Sequence, residues 1–353
     1  MNASPRFHTP RQHGFSLVEL MVAMTLSLLL MAGALSILYS SKTTYNENDR
    51  LARLQESGRT VVEMILRDAR PAGFMGCSRP LSGDEFSNGL NNSNSLLWNF
   101  GQPAFGFEAK GGGVWAPALD ALIPNATSGS DVLVMRTTRL GQGVFRLSAP
   151  VIDTTAVIQV DTDAGSTIPA DTPMIIGDCE GSSVFMATGY NALTSTTGEI
   201  SHAIAAGGGD GNTGAALTRG FVLGAQLMPI QSVAYFVAPS ASGNGGSLWQ
   251  RMGKAAPLEL VDGVENLQLR YGVDTDNNLQ ADVYQDAEAV NAANNWPRVI
   301  SIELAVLVRS PEETGATVDS RVYDLLGTNV GPFNDRRQRA VFTTTVVLRN
   351  RTF

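Results

Sequence analysis

The sequence predicts an α+β fold: one long N-terminal helix laid on a largely antiparallel β-sheet body with long loops. Three observations predict it. No charged side chain occurs between Leu20 and Ser41. Apolar residues then recur at three- and four-residue spacing almost as far as Pro71. Beyond that point short alternating runs take over, with no repeat of fixed period and no alternation of strand and helix patterns.

The helix comes first. Residues 1–14 are polar and carry Arg6 and Arg11 but no acid, and Phe15 opens the apolar stretch. The uncharged run 20–41 is 22 residues long, which at about 1.5 Å per residue reaches about 33 Å and spans a hydrocarbon core. The arginines on its N-terminal side place that side in the cytoplasm. A cleaved secretory signal would end in an A-x-A-like pattern, whereas this run ends Leu38-Tyr39-Ser40-Ser41-Lys42. A plain membrane anchor leaves Glu19 unexplained, because a carboxylate entering lipid needs a partner. Past Lys42, the residues Leu51, Leu54, Gly58, Val61 and Ile65 form one apolar face, while Asp49, Arg53, Glu56, Arg59, Glu63 and Arg67 fill the others. Pro71 and Gly73 end the run. Residues 15–41 therefore read as a transmembrane half, and 42–70 as an amphipathic half that packs on the body.

The body follows. Residues 81–130, rich in Gly, Asn and Ser, predict an extended loop region with short strands. Strands are predicted at Asp131–Arg136, Thr154–Val160, Pro173–Asp178 and Ser183–Thr188. Residues 189–220 predict a mobile loop that contains His202, and Val222–Val237 predicts one or two strands broken at Pro229. Leu248–Arg251 reads as the start of a hairpin. Leu267, Leu269, Tyr271 and Val273 alternate with Gln268, Arg270 and Gly272, and a second such run covers Ile300 to Val308. Both predict half-buried antiparallel strands, and Phe342–Leu348 closes the chain as another.

Composition excludes several functions. Net charge is −8 and no basic run occurs, so the surface repels phosphate backbones and nucleic acid is not a partner. Three histidines and two cysteines offer no zinc-ligand spacing. A Ser-His-Asp triad would have to be built on His202, and no phosphate-binding P-loop motif is present. The sequence predicts no enzyme.

The segment Gly14-Phe15-Ser16-Leu17-Val18-Glu19-Leu20, followed by its apolar run, resembles the processing site of type IV pilins and type II secretion pseudopilins. The resemblance implies that residues 1–14 are a prepilin leader. Prepilin peptidase would cut between Gly14 and Phe15, and Phe15 would then be N-methylated. Glu19 would become the fifth mature residue and would meet an N-terminal amine during assembly, which offsets the cost of its charge in lipid.

Three further segments look like the PilW group of minor pilins, a relative of the J-type minor pseudopilin. They are Asp178-Cys179-Glu180 with Val184-Phe185, then Leu260 to Glu265 leading to Tyr271-Gly272-Val273-Asp274, and Arg337 to Thr345 with Leu348-Arg349-Asn350. By this resemblance residues 71–353 are a β-rich globular domain, first periplasmic and then on the pilus fibre at the cell surface. The implied partners are other minor pilins, the major pilin, prepilin peptidase, the inner-membrane assembly machinery and membrane lipid. The length, and the absence of a proline in the membrane segment, speak against a major subunit.

Outside the cytoplasmic membrane the compartment is oxidising, so Cys77 and Cys179 fit one disulfide; the alternative is two buried free thiols. No other cofactor is implied, except that Asp274, Asp276, Asn278 and Asp282 fall at alternate positions of a run resembling a calcium loop. Two departures weaken that reading: Leu279 stands where the loop has Gly, and Gln285 where it has Glu. The alternative is a solvated turn between strands.

The function expected is that of a minor pilin that helps to prime pilus assembly, in a complex at the fibre tip. A J-type secretion pseudopilin and a calcium-dependent tip adhesin are the alternatives. A membrane-anchored hydrolase would rest on His202 alone.

Overall fold

The computed structural model describes residues 14, 16–74, 86–139, 143–205, 209–313 and 317–352. Its contacts divide the chain into two compact units, residues 1–53 and 54–353.

One element, α1 (Leu17–Ala69), carries the apolar N-terminal run and then enters the second unit. In the first unit it contains a stretch long and apolar enough to cross a membrane, none of it buried. In the second unit Leu54, Gly58, Val61 and Ile65 are buried, in agreement with the predicted face, whereas Leu51 is 43% exposed. The helix stops where expected: Pro71 cannot continue it, and Gly73, at φ +74°, turns the chain so that its N–H bonds the Arg136 carbonyl at 2.9 Å.

The body is built from strands: β1 (Phe86–Asn88), β2 (Ala104–Gly111), β3 (Val114–Ala116), β4 (Val132–Thr138), β5 (Phe145–Leu147), β6 (Ile158–Asp161), β7 (Thr172–Gly177), β8 (Ser182–Ala187), β9 (Gly189–Ala192), β10 (Thr197–Ser201), β11 (Gln226–Pro239), β12 (Gly246–Met252) and β13 (Leu258–Asp262). These belong to one branched sheet, antiparallel except where β1 runs parallel to β8. After β14 (Val264–Val273) and β15 (Val283–Gln285) come the short helix α2 (Ala287–Ala292), β16 (Val299–Arg309), β17 (Tyr323–Leu325), β18 (Thr328–Val330), β19 (Arg339–Val347) and a final turn, α3 (Arg349–Thr352). A second sheet has the order β15-β14-β16-β19, all antiparallel, and β17 pairs with β18 alone. The fold is α+β.

The main core joins Leu54, Val61 and Ile65 of α1 to Val233, Tyr235 and Val237 of β11, and to the inward residues of β14 and β16. Burying a side chain such as Ile65 contributes roughly 1.5–3 kcal/mol, so this face gives the helix half a stable seat on the sheet. Close approach is enabled by Gly58: a β-carbon there would overlap the ring of Phe342 on β19. A separate core of Phe145, Ile158, Met174, Ile176, Phe185 and their neighbours holds β5 to β10 together as a lobe.

Two expectations are corrected. Within the stretch 189–220 that reads as a mobile loop, residues 189–201 form the paired hairpin of β9 and β10, and His202 beside it is 5% exposed. Pro229 does not break a strand, since β11 runs through it. Up to Pro229 the strand pairs with β7, and from Ile230 with β4. The proline faces the edge shared by β4 and β5, where its carbonyl accepts the Arg139 N–H at 2.8 Å; β5 ends opposite Leu227 and β4 begins opposite Ile230, so the missing N–H falls in the gap between them and no ladder bond is lost.

Candidate functional site

The N-terminal determinants fold locally. Ser16 precedes α1, and its hydroxyl accepts the Glu19 N–H at 3.2 Å, while Glu19 Oε2 accepts the Ser16 N–H at 3.0 Å. This reciprocal pair is a capping box, which satisfies donors that the first helical turn would leave free. The Ser16-x-x-Glu19 spacing before an apolar run is the sequence signal for it, and gives Glu19 a local role beside the one expected in assembly. Gly14 is exposed with no neighbour near its missing side chain. Phe15 lies outside the described residues.

Where α1 ends, buried Asp68 ties it to the sheet. Its Oδ2 accepts the Tyr235 hydroxyl at 2.6 Å and Gln250 Nε2 at 3.0 Å, and Gln250 also donates to the Tyr235 oxygen at 2.7 Å. Burial, followed by the Asp68 charge, pushes the Tyr235 phenol far above its ordinary range, so it remains a donor.

The second and third segments that carry the PilW resemblance meet in space. Arg339 of β19 binds Glu265 of β14 in a fork, Nε to Oε2 at 2.5 Å and Nη2 to Oε1 at 2.9 Å. Its other donors reach both Asp335 oxygens at 2.6 Å and Asp319 at 3.3 Å, and its guanidinium stacks on Phe333. The first segment is joined elsewhere: Asp178 receives Arg219 at 2.9 Å on both oxygens and caps the turn at Glu180 and Gly181.

Cys179 sits in that turn, and there is no free thiol among the described residues. Cys77 lies outside them. His202 is a packing residue: its Nε2 is 2.8 Å from the Ala156 carbonyl and its ring lies edge-on to Phe185.

The Asp274 loop does gather its acids. One carboxylate oxygen each from Asp274, Asp276 and Asp282 lie within 4.8 Å of one another. Asp274 is buried, and its two oxygens accept the N–H groups of Asn278 and Leu279 at 3.2 and 2.9 Å. Asn278 instead turns its side-chain oxygen to the Gln280 N–H at 2.7 Å. Leu279 adopts φ +66°, the left-handed conformation for which a glycine is preferred.

Residues 234–350 match the protein family described as type IV pilus-assembly protein W, PilW, and residues 9–35 match the prokaryotic N-terminal methylation motif. The last third of the chain is thus PilW-like, and its N-terminus carries a pilin-type methylation motif. The PilW match covers β12 to β19 and the C-terminal end of β11, and so includes both partners of the Glu265–Arg339 fork. The Asp178 segment and the lobe of β5 to β10 fall outside it. Among solved structures, a type IV-like pilin from Thermus thermophilus matches at 15% identity and a TM-score of 0.22, over 52% of this chain and 86% of its own. No curated protein sequence matches. The apolar helix and the methylation motif fit a pilin anchored in the inner membrane, a kind of protein that interacts with other pilins and with pilus machinery.

Proposed function

We propose that this PilW-type chain is a minor pilin that helps to prime type IV pilus assembly, within a complex at the fibre tip. The observation that carries the reading is the exposed apolar helix, headed by Glu19 and Gly14 and joined to a PilW body. In this reading prepilin peptidase removes residues 1–14 with the N-terminus in the cytoplasm, and Phe15 is methylated. The helix then leaves lipid for the packed helices of its siblings, while the body faces the periplasm. The work is assembly and not catalysis, consistent with His202 being spent on packing. Cys77 and Cys179 form the one disulfide, closing a loop of about 100 residues whose entropic contribution is about 4.7 kcal/mol on a chain-entropy account.

Deletion of the gene tests the reading when surface pili, twitching motility and protein secretion are scored together. Loss of pili and twitching with secretion intact is expected. Normal pili with failed secretion would make the chain a J-type pseudopilin instead.

A second reading concerns the Asp274 loop. Three converging carboxylates supply oxygen ligands for calcium, each with lone pairs beyond those its backbone bonds use. We infer a calcium loop that stiffens the turn between β14 and β15, on which a tip-adhesive role would depend. Calcium is expected to raise the melting temperature, and Asp276→Ala to abolish the effect; absence of binding heat in the intact chain would leave a plain turn.

A further inference from the structure

The two edges of the small sheet differ. Along β14 the outer side is closed: the Leu267 carbonyl accepts the Asp131 N–H at 2.8 Å, the Leu267 N–H reaches the Ser130 hydroxyl at 3.0 Å, and the Leu269 N–H reaches an Asp131 oxygen at 2.9 Å. From Tyr271 onward β15 takes over. The other edge is β19, which pairs with β16 alone. The Leu348 N–H donates to the Ile300 carbonyl and the Ser310 N–H to the Gln338 carbonyl, both at 2.8 Å, so the even-numbered residues of this antiparallel ladder face β16. Val341, Thr343, Thr345 and Val347 therefore turn their N–H and C=O groups outward, and among the described residues nothing bonds to them.

An edge of this kind recruits a further strand unless it is blunted by short length, charge, proline or a bulge. The other terminal strands, β1, β3, β9, β13, β15, β17 and β18, are three to five residues long. β19 runs from Arg339 to Val347 without a bulge, and no charge or proline occurs between Ala340 and Leu348. Thr343, Thr345 and Val347 are also exposed, a β-branched row on a pleated surface. The edge is thus long, regular and undefended.

We propose that the free edge of β19 is a docking edge for an extended, uncharged strand of a different pilin-type subunit, which adds to the small sheet through main-chain bonds. The partner's class rests on the minor-pilin reading. A second copy does not suit the edge. Two copies paired antiparallel through β19 are related by a two-fold axis normal to the sheet. The buried face of α1 packs on that sheet, so the axis reverses the helix, and two reversed copies cannot both anchor in one membrane through the apolar run at the start of α1.

Proline substitution separates the two sides of the strand. In the full chain in detergent micelles, Thr343→Pro removes only an outward N–H and should melt within about 2 °C of its parent, with Val347→Pro as a second such variant. Thr344→Pro removes a bond to β16 and should melt at least about 5 °C lower. A photoreactive benzophenone side chain in place of Thr345 is then activated in cell membranes, and the adduct is mapped by mass spectrometry. One adduct, to a strand of another pilin-type chain, is expected. Thr343→Pro should lower its yield at least about tenfold, whereas Thr343→Val should leave it, because main-chain docking ignores the side chain. No adduct, an adduct only to a second copy, a yield unchanged by Thr343→Pro, or outward prolines that melt as low as Thr344→Pro would each overturn the proposal. The adduct is read without counting pili, so normal pili after gene deletion with the adduct still formed would fail the minor-pilin reading alone.

Discussion

Gly58 of α1 and Phe342 of β19 occupy one space: the ring lies where a side chain on the helix would have to be. The helix can approach the sheet only because residue 58 has no β-carbon. Gly58→Leu is therefore expected to destabilise the body by about 1–3 kcal/mol through overpacking, and Phe342→Ala in the same chain should recover part of that loss. Chemical denaturation of the four chains of this cycle provides the check; equal midpoints for wild type and Gly58→Leu would refute the contact.

The Asp68 anchor gives a second expectation. Tyr235→Phe removes the 2.6 Å donor to a buried carboxylate while keeping the ring in place. Stability should fall by about 1–3 kcal/mol. Asp68→Asn in addition should add little, because the charge left stranded by the first change is gone.

Capping and ion pairing at Glu19 can be separated. Glu19→Gln keeps an oxygen to reach the Ser16 N–H but has no charge. It is expected to leave helix content and leader removal unchanged while reducing pilus number sharply. Ser16→Ala should do the reverse, costing about 1 kcal/mol of helix stability with assembly retained. Mass spectrometry of the mature N-terminus, which should show methylated Phe15, and pilus counts report the two effects independently.

Breaking the Arg339 fork is expected to be the most damaging single change in the body. Arg339→Met leaves Glu265 and Asp335 without their donors, and losses of about 3–5 kcal/mol follow from stranding a buried charge. Arg339→Lys should recover little of this, because one ammonium cannot repeat the paired fork geometry.

In the presence of chelator, pH should affect stability in two opposite ways. Glu108 has an ordinary value of 4.5 and about 7 when folded, so the folded chain holds the extra proton between those limits. Stability should fall as pH rises from 4.5 to 7, and Glu108→Gln should flatten that slope. Asp319 behaves oppositely. Burial opposes its ionisation, yet donors from Arg321 and Tyr323 hold it at about 2, below its ordinary 3.8. Its contribution should disappear as pH falls through that interval.

The helix and the strands near β4, β7, β8, β14, β16 and β19 were legible because their apolar residues alternate or recur against polar neighbours. The β9–β10 hairpin was not, since Gly-Tyr-Asn-Ala and Thr-Gly-Glu-Ile-Ser give one buried apolar side chain, Ile200, and no rhythm. Pro229 misled by a rule that holds for strands flanked on both sides, whereas β11 changes partners there. The converging aspartates were readable from spacing, because alternate residues of a tight loop turn inward together. The approach of Glu108 to Asp286 was not, as residues more than 170 positions apart share no local pattern. Only the pairing of β14 with β15 and the contact of α2 with β2 bring them together.

The continuity of β11 has a mechanical consequence. Near its start the strand is paired with β7 inside the lobe, and at Tyr235 it holds the end of α1. A load between the lobe and the helix therefore travels along a single covalent backbone. The ladder bonds to β4, β7 and β12 lie across that line, so they resist together, in shear, instead of being peeled apart one at a time. A broken strand at Pro229 would have put a hinge in the line of tension; an unbroken one makes it a tie rod.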